Sequence, residues 1–150
     1  MILDERLEFC DATSAILNIG NAIIGDVVDL KGPTTAPNTT IDLDGACLYC
    51  VIQVDTTFVG ATSTTKFELC SDSTADLATS KTVHFATAAI PVATLVAGYT
   101  VAAFELPSGS YERYLGLWET VATANVTAGK INAFLTSDPA LYRAYADNVA

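Results

Sequence analysis

Charge is scarce in this sequence of 150 residues, and positive charge is the scarcest. Lys and Arg number 7 against 17 Asp and Glu, with a single His and a net charge of −10. Nucleic-acid binding depends on clustered Lys and Arg that neutralise phosphate groups, and here the basic residues are scattered along the chain. The composition therefore predicts no nucleic-acid partner, and an acidic surface suited to a basic protein.

The sequence also has few of the groups from which a catalytic or metal site is built. It contains no Gly-x-Ser-x-Gly, His-Glu-x-x-His, phosphate-loop or dinucleotide-binding pattern. His84 lies in a predicted strand with no carboxylate or nucleophile at motif spacing. Cys47 and Cys50 have the spacing of zinc ligands, but no second pair exists, and residues three apart in a strand face opposite ways. We therefore expect no enzyme, no cofactor and no metal site.

Long apolar runs are missing as well. Apolar residues make up 51% of the chain, yet no run approaches the ~20 residues of a membrane-spanning helix. The first residues, MILDERLEFCDAT, lack the basic segment and apolar core of a secretion signal. We expect no membrane partner and synthesis in a cytoplasm, where cysteines stay reduced. The expected free thiols are Cys10, Cys47, Cys50 and Cys70.

What the sequence does contain is a series of short alternating apolar and polar stretches separated by turn residues. Residues 98–136 read as three strands of an antiparallel meander, with turns at 106–109 and 127–130. Residues 46–55 predict a central strand because both faces are apolar, and residues 66–70 predict a half-exposed strand. With about eight such strands and no long helix, we predict one domain spanning the whole chain, an all-β, two-sheet sandwich.

The loop at residues 31–44 interrupts this pattern with two prolines, a glycine and four threonines. Loops longer than about 12 residues in a compact domain are usually functional or flexible. We predict a contact loop, with a mobile surface insertion as the open alternative. The candidate contact residues are Pro33, Thr34, Thr35, Pro37 and Asn38.

The two ends of the chain, residues 1–10 and 137–150, carry apolar and aromatic side chains outside the strand pattern. Apolar groups that the core does not take up favour another surface, so we predict two extended arms that contact neighbouring proteins. The alternative, that both arms fold back on their own sandwich, stays open. The candidate interface residues are Ile2, Leu3, Leu7, Phe9, Leu141, Tyr142, Arg143 and Tyr145.

Five segments, taken in order, resemble the capsid cement (decoration) proteins of tailed bacteriophages. The segments are Met1–Asp4 with Leu7–Phe9 and Asp11–Ala12, Ala89–Gly98, Leu106–Pro107 with Arg113–Leu115, Thr127–Lys130, and Arg143–Tyr145. The resemblance runs from end to end, although the loop at residues 31–44 and the segment at residues 71–81 depart from the family pattern. It implies a jelly-roll-like antiparallel β-sandwich bound to the outside of an icosahedral phage shell. The implied partners are the phage major capsid protein and further copies of this chain, with a homodimer favoured over a trimer.

Two functions of different classes are open on the sequence. The first is a structural virion protein on the outer surface of a phage capsid, made in the bacterial host cytoplasm, that stabilises contacts between major capsid protein subunits. The alternative is a carbohydrate-binding or adhesion module of a phage fibre. That alternative requires Trp118 or Tyr111 to line an open groove.

Overall fold

The computed structural model describes residues 7–31 and 47–139, which form β-strands joined by turns. The strands in chain order are β1 (Glu8–Ser14), β2 (Gly20–Asp29), β3 (Tyr49–Gly60), β4 (Thr64–Asp72), β5 (Thr82–Ala86), β6 (Ile90–Pro91), β7 (Thr100–Glu105), β8 (Tyr114–Ala122) and β9 (Val126–Thr136). A short 3-10 helix, Val92–Thr94, follows β6. Val, Ile, Thr and aromatic residues recur in these segments, because such side chains pack well on a pleated, half-buried surface.

The strands form two antiparallel sheets. The first sheet has the order β1-β9-β3-β7, and the second has the order β2-β8-β4-β5, with β6 pairing one end of β4. Most neighbours within a sheet are distant in the chain, because the chain crosses between the sheets at most of its connections. This interleaved two-sheet order is that of a jelly roll. The predicted all-β antiparallel sandwich is confirmed.

The predicted meander at residues 98–136 is wrong, although its three strands exist. β7 and β9 lie on either side of β3 in the first sheet, while β8 lies between β2 and β4 in the second. Leu117 and Val121 of β8 therefore enter the core from the second sheet, whereas β7 and β9 border it from the first. The turn predicted at residues 127–130 belongs to β9, and the tight connection precedes it at Thr123, which has φ +72°.

Apolar side chains from both sheets fill the space between them. Phe58 of β3 and Phe67 of β4 meet edge-on, with ring centroids 6.4 Å apart. The prediction of a central, two-sided strand at residues 46–55 is confirmed by β3. There the successive residues Val51 and Ile52, which face opposite ways, are 1% and 0% exposed.

The strand predicted at residues 66–70 is confirmed, but its predicted half exposure is wrong. This segment belongs to β4, which lies between β8 and β5, and its Phe67 is fully buried. On the outward face Glu68 is also shielded, because Lys66 and Lys81 both bind its carboxylate. The inner face of this strand is thus covered by the core, and its outer face by the ion pairs of Glu68 and the loop that carries Lys81.

The four strands at the edges of the sheets each carry one or two extra residues relative to the strand they pair with. These register shifts, or β-bulges, occur in β1 beside Phe9 and between Cys10 and Thr13, and in β2 between Ile24 and Val28. In β5 the extra residue is His84, and in β7 it is Val101. Of the central pairings, that of β4 with β8 continues without a shift, whereas that of β3 with β9 is shifted at three points.

One of these bulges brings β1 and β2 into close backbone contact. Gly25 has φ +77°, and a Cβ at this position would lie 2.0 Å from the backbone oxygen of Phe9. The Sγ of Cys10 donates a hydrogen bond to the backbone oxygen of Ile24 at 3.3 Å. Only glycine combines this φ with so close an approach.

All four cysteines are free thiols. Cys10, Cys50 and Cys70 are buried, and Cys47 is exposed. Burial raises the pKa of the Cys10 thiol to about 12 and that of Cys70 to about 11. The buried thiols are therefore neutral core groups at physiological pH, with little of the thiolate that oxidation requires.

We expect thermal melts of the protein with and without a reducing agent to coincide. No covalent bridge closes a loop of the chain, so the reductant has nothing to remove from the folded state. Circular dichroism at increasing temperature measures this directly. A Tm that falls by several degrees on reduction would contradict it, since a disulfide typically contributes ~2–4 kcal/mol.

Candidate functional site

The described residues of the predicted N-terminal arm belong to the fold. Phe9 is 1% exposed within β1, which pairs with β9, so the prediction that Phe9 contacts a neighbouring protein is wrong. Leu7 is half-buried against the same core. The remaining candidates lie outside the described residues: Ile2, Leu3, Leu141, Tyr142, Arg143 and Tyr145 of the arms, and Pro33, Thr34, Thr35, Pro37 and Asn38 of the loop.

A turn at one end of the sandwich presents apolar side chains to solvent. Residues 15–19, here called the apolar turn, join β1 to β2 and so cross from one sheet to the other. Leu17 is 46% exposed and Ile19 is 58% exposed. The backbone N–H of Ile19 donates to Asn125 Oδ1 at 3.0 Å, and that of Val126 donates to the oxygen of Leu17 at 2.9 Å. The turn is thus fixed on the β8–β9 connection.

A third exposed apolar side chain lies on the same end of the molecule. Val59 of β3 is 51% exposed and pairs with Ala128 of β9, and the Thr127 hydroxyl donates to its backbone oxygen at 3.1 Å. We call Leu17, Ile19 and Val59 the apolar end. Their backbones are all held by hydrogen bonds to the start of β9 or the connection before it.

A buried carboxylate binds the backbone of the apolar turn from the core side. Glu119 of β8 is 0% exposed, and its Oε2 accepts a hydrogen bond from the backbone N–H of Ile16 at 2.8 Å. The neighbouring Ala15 donates its N–H to the oxygen of Gly129 at 3.0 Å. Because Ala15 and Ile16 take the inward positions, Leu17 stays outside. Burial raises the pKa of Glu119 to about 7, against the lowering effect of the Ile16 hydrogen bond.

A second ordered surface element is the β4–β5 loop, residues 73–81, built around Asp72. The Asp72 carboxylate is fully buried and accepts backbone N–H groups from Thr74, Thr79 and Ser80 at 3.2, 3.0 and 2.9 Å. Burial alone would raise the pKa of Asp72, but these bonds and those of Ser73 lower it to about 2. The loop is therefore organised by one charge that stays ionised in most solutions.

Leu77 fastens the tip of this loop to the outer face of the second sheet. It is 1% exposed and packs over Gly116 of β8, where an added Cβ would lie 2.8 Å from Leu77 Cδ1. Its φ is +49°, and its N–H donates to the oxygen of Thr74 at 3.1 Å. The loop thus covers one face of the sandwich and presents small polar residues outward.

Lys81, at the end of the loop, covers the tryptophan of the chain. Its Nζ lies 4.2 Å from the Trp118 ring centroid and 3.3 Å from Glu68 Oε2. Burial alone would raise the pKa of Glu68, but the hydrogen bonds and charges of Lys66 and Lys81 have the larger effect. The pKa of Glu68 is therefore lowered. The Trp118 face is therefore occupied by a cation of the same chain.

A serine and a histidine meet on neighbouring strands, but without the geometry of a nucleophile. Ser71 Oγ lies 2.7 Å from His84 Nε2, and it also accepts the backbone N–H of Glu112 at 3.2 Å. Ser71 is 0% exposed, and the His84 ring stacks on Tyr111 with centroids 4.2 Å apart. The hydroxyl is enclosed and hydrogen-bonded, so the pair fastens the segment before β8 to β5. Sequence spacing could not have revealed it, because the contact depends on the β4–β5 register.

Within residues 7–31 and 47–139, no three His, Cys, Asp or Glu side chains are grouped so that they could hold a metal ion. The same residues include no helix with the length and apolar character of a membrane span.

Comparison with known proteins gives one family. The model of the Bbp16 family matches residues 12–135, which include every strand from β2 to β8 in full. The family name is phage-related and does not single out a cement protein. No curated protein matches the chain.

Proposed function

The chain belongs to the Bbp16 family, and from that premise we propose that it is a structural virion protein that binds the outside of a phage capsid and stabilises contacts between major capsid protein subunits. The phage-related family name and the resemblance to cement proteins support the phage setting. The jelly-roll sandwich supports a structural role by analogy of fold alone. The protein would act as a small homo-oligomer, most simply a homodimer, whose mass in solution is directly measurable.

The observation that carries this proposal is the apolar end. Leu17, Ile19 and Val59 are about half exposed on backbone segments that hydrogen bonds already hold in place. Exposed apolar residues grouped at one end of a fold are candidates for a protein–protein contact site. Because the turn is ordered in advance, a partner that covers it loses little free energy to ordering of the turn.

The charge distribution agrees with a protein partner that has basic groups. Lys66 and Lys81 bind Glu68, and Arg113 grips Asp29 through two hydrogen bonds of 3.0 and 2.8 Å. These internal pairs neutralise several of the few cations, while the following carboxylates stay exposed: Asp11, Asp26, Asp55, Asp76 and Glu105. Among the described residues, the surface thus presents more carboxylates than cations, which favours a basic partner.

The carbohydrate-binding alternative receives no comparable support. It needs Trp118 or Tyr111 in an open groove, but Lys81 covers the Trp118 ring. Tyr111 stacks on His84, and its hydroxyl donates to the backbone oxygen of Pro107. Both aromatic side chains are therefore engaged within the protein.

We expect the double substitution Leu17→Ser and Ile19→Ser to weaken binding to capsid shells at least about tenfold. Burial of one such side chain at an interface contributes roughly 1.5–3 kcal/mol, and 1.4 kcal/mol is about a tenfold change in Kd. Co-sedimentation of the purified protein with shells assembled from the major capsid protein measures the affinity.

The matched control is Val83→Ser, because Val83 is 45% exposed on β5, away from the apolar end. It should bind as the unaltered protein does. Equal binding by all three proteins would show that the apolar end is not the contact surface. Failure of the unaltered protein to bind shells, together with a clear hit in a glycan screen, would favour the alternative function.

A further inference from the structure

Glu119 is a carboxylic acid in the hydrophobic core of the sandwich. β8 places it on the same side as Leu115, Leu117 and Val121, which face the space between the sheets, and it is 0% exposed. No Lys, Arg or His of the described residues is buried with it. An ionised side chain in this place would be a buried charge without a counter-charge, which is costly unless a cation or several hydrogen bonds compensate it.

The two oxygens of this carboxyl group have different surroundings. Oε2 accepts the N–H of Ile16 at 2.8 Å, whereas Oε1 has no hydrogen-bond partner among the described residues. The hydroxyl of Thr65 on β4 is likewise buried and without a partner there. Thr65 pairs with Val121, and Phe67 pairs with Glu119, so Thr65 and Glu119 are diagonal neighbours across two strands. Even so, the two groups do not hydrogen-bond to each other, since each is without a partner in the described part of the chain.

Protonation of Glu119 removes the uncompensated charge from the core. An ionised carboxylate is only an acceptor, while the neutral acid has one O–H donor. With the proton on Oε1, Oε2 keeps its bond to Ile16. The neutral form therefore fits the site, whereas the ionised form places a charge in the core with one hydrogen bond and no cation of the described residues beside it.

The other titratable groups on the surrounding strands do not alter this balance. Cys10 on β1 shares the core, and burial raises the pKa of its thiol to about 12, so it is neutral. Glu8 on β1 and Asp26 on β2 act on Cys10 and add negative charge rather than a counter-charge. On the other two strands that pack nearby, the charged groups face outward: Lys66 and Glu68 on β4, and Lys130 on β9.

We propose that Glu119 is a pH-sensitive clasp: the protonated acid holds the apolar turn against the core through Ile16, and the ionised acid releases the turn together with Leu17 and Ile19. Release allows water to reach the carboxylate, which removes the cost of the buried charge. The clasp depends on the fold alone and stands whether or not the partner is a capsid.

The direction of the pH effect follows from the proton balance. Burial raises the pKa of Glu119 from the ordinary 4.5 to about 7, so the folded protein keeps a proton that the unfolded chain releases earlier. The stabilisation is complete below pH 4.5 and is lost as the pH rises through about 7. Within this window each pH unit should raise the equilibrium constant for opening about tenfold through this group.

Glu119→Gln tests the clasp in the full chain. The glutamine oxygen still accepts the Ile16 N–H, but the group no longer titrates. Hydrogen exchange of the Ile16 amide, corrected for intrinsic rates, should lose at least tenfold protection between pH 5 and 8 in the unaltered protein, by the same proton balance. The variant should keep its protection at both pH values.

Glu105→Gln is the matched control, because Glu105 is an exposed carboxylate on β7, and it should behave as the unaltered protein does. A direct carboxyl titration by NMR accompanies the exchange experiment. Constant Ile16 protection in the unaltered protein, the same loss of protection in Glu119→Gln, or a Glu119 titration near 4.5 would each overturn the proposal.

Discussion

Replacement of Gly25 with alanine should destabilise the protein strongly, whereas the same replacement at Gly98 should be tolerated. Both glycines have positive φ, +77° and +84°, so both substitutions carry a backbone cost of ~1–2 kcal/mol. At Gly98 an added Cβ meets nothing within 4 Å, but at Gly25 it would lie 2.0 Å from the backbone oxygen of Phe9 and 2.5 Å from Cys10 Sγ. The backbone of β1 cannot yield without losing its pairing with β9.

Chemical denaturation of the three proteins gives the free energies of unfolding. We expect a loss of about 1–2 kcal/mol for Gly98→Ala, and of more than about 4 kcal/mol for Gly25→Ala, out of a total that is typically 5–15 kcal/mol. Gly98→Ala isolates the backbone cost, so the difference between the variants reports the contact of β1 with β2. Equal losses would mean that these edge strands separate easily.

Replacement of Asp72 with alanine should free the whole β4–β5 loop without unfolding the sheets. The substitution leaves three backbone N–H groups and the hydroxyls of Ser73 and Ser80 without their acceptor. Asp76→Ala is the matched control, since Asp76 is exposed and accepts from only Thr74 Oγ1 and Ala78 N. Hydrogen exchange of the Thr79 and Ser80 amides should increase strongly in the first variant and little in the second.

Acidification should likewise free the β4–β5 loop in the unaltered protein. Hydrogen bonds hold the pKa of Asp72 below its ordinary 3.8, at about 2. The stabilisation is therefore complete above pH 3.8 and is lost as the pH falls through about 2. Protected Thr79 and Ser80 amides in Asp72→Ala at neutral pH would show that the buried Leu77 alone holds the loop.

The strands were predictable from local sequence, and their order was not. The apolar faces of β3 and the alternation of β7 are properties of a few consecutive residues, so both strands appear where expected. The meander was wrong because strand partners are chosen by contacts across the whole chain, such as Val51 opposite Phe134. The turn predicted from Gly129 was also wrong, because Gly129 lies inside β9. Glycine is needed there for packing, since an added Cβ would be 2.6 Å from the Phe58 ring.

The functional surface was only partly visible in the sequence. Phe9 was assigned to an arm because the segment is short and terminal, and its pairing with the distant β9 cannot be read from nearby residues. Glu119 did leave a signal, because it alternates with Leu115 and Leu117 and so falls on an apolar face of the strand. Its partner, the Ile16 amide, is 103 residues away and becomes apparent only when the sheets are assembled.

The bulges in the four edge strands bear on whether this protein aggregates at high concentration. A straight edge offers an unbroken row of backbone N–H and C=O groups, and it can template the addition of strands from other molecules, which is the route to aggregates and fibrils. Here β1, β2, β5 and β7 are each interrupted by one or two extra residues. In a chain that is 51% apolar, these interruptions make the described sheet edges poor templates for strand addition and so disfavour edge-to-edge aggregation.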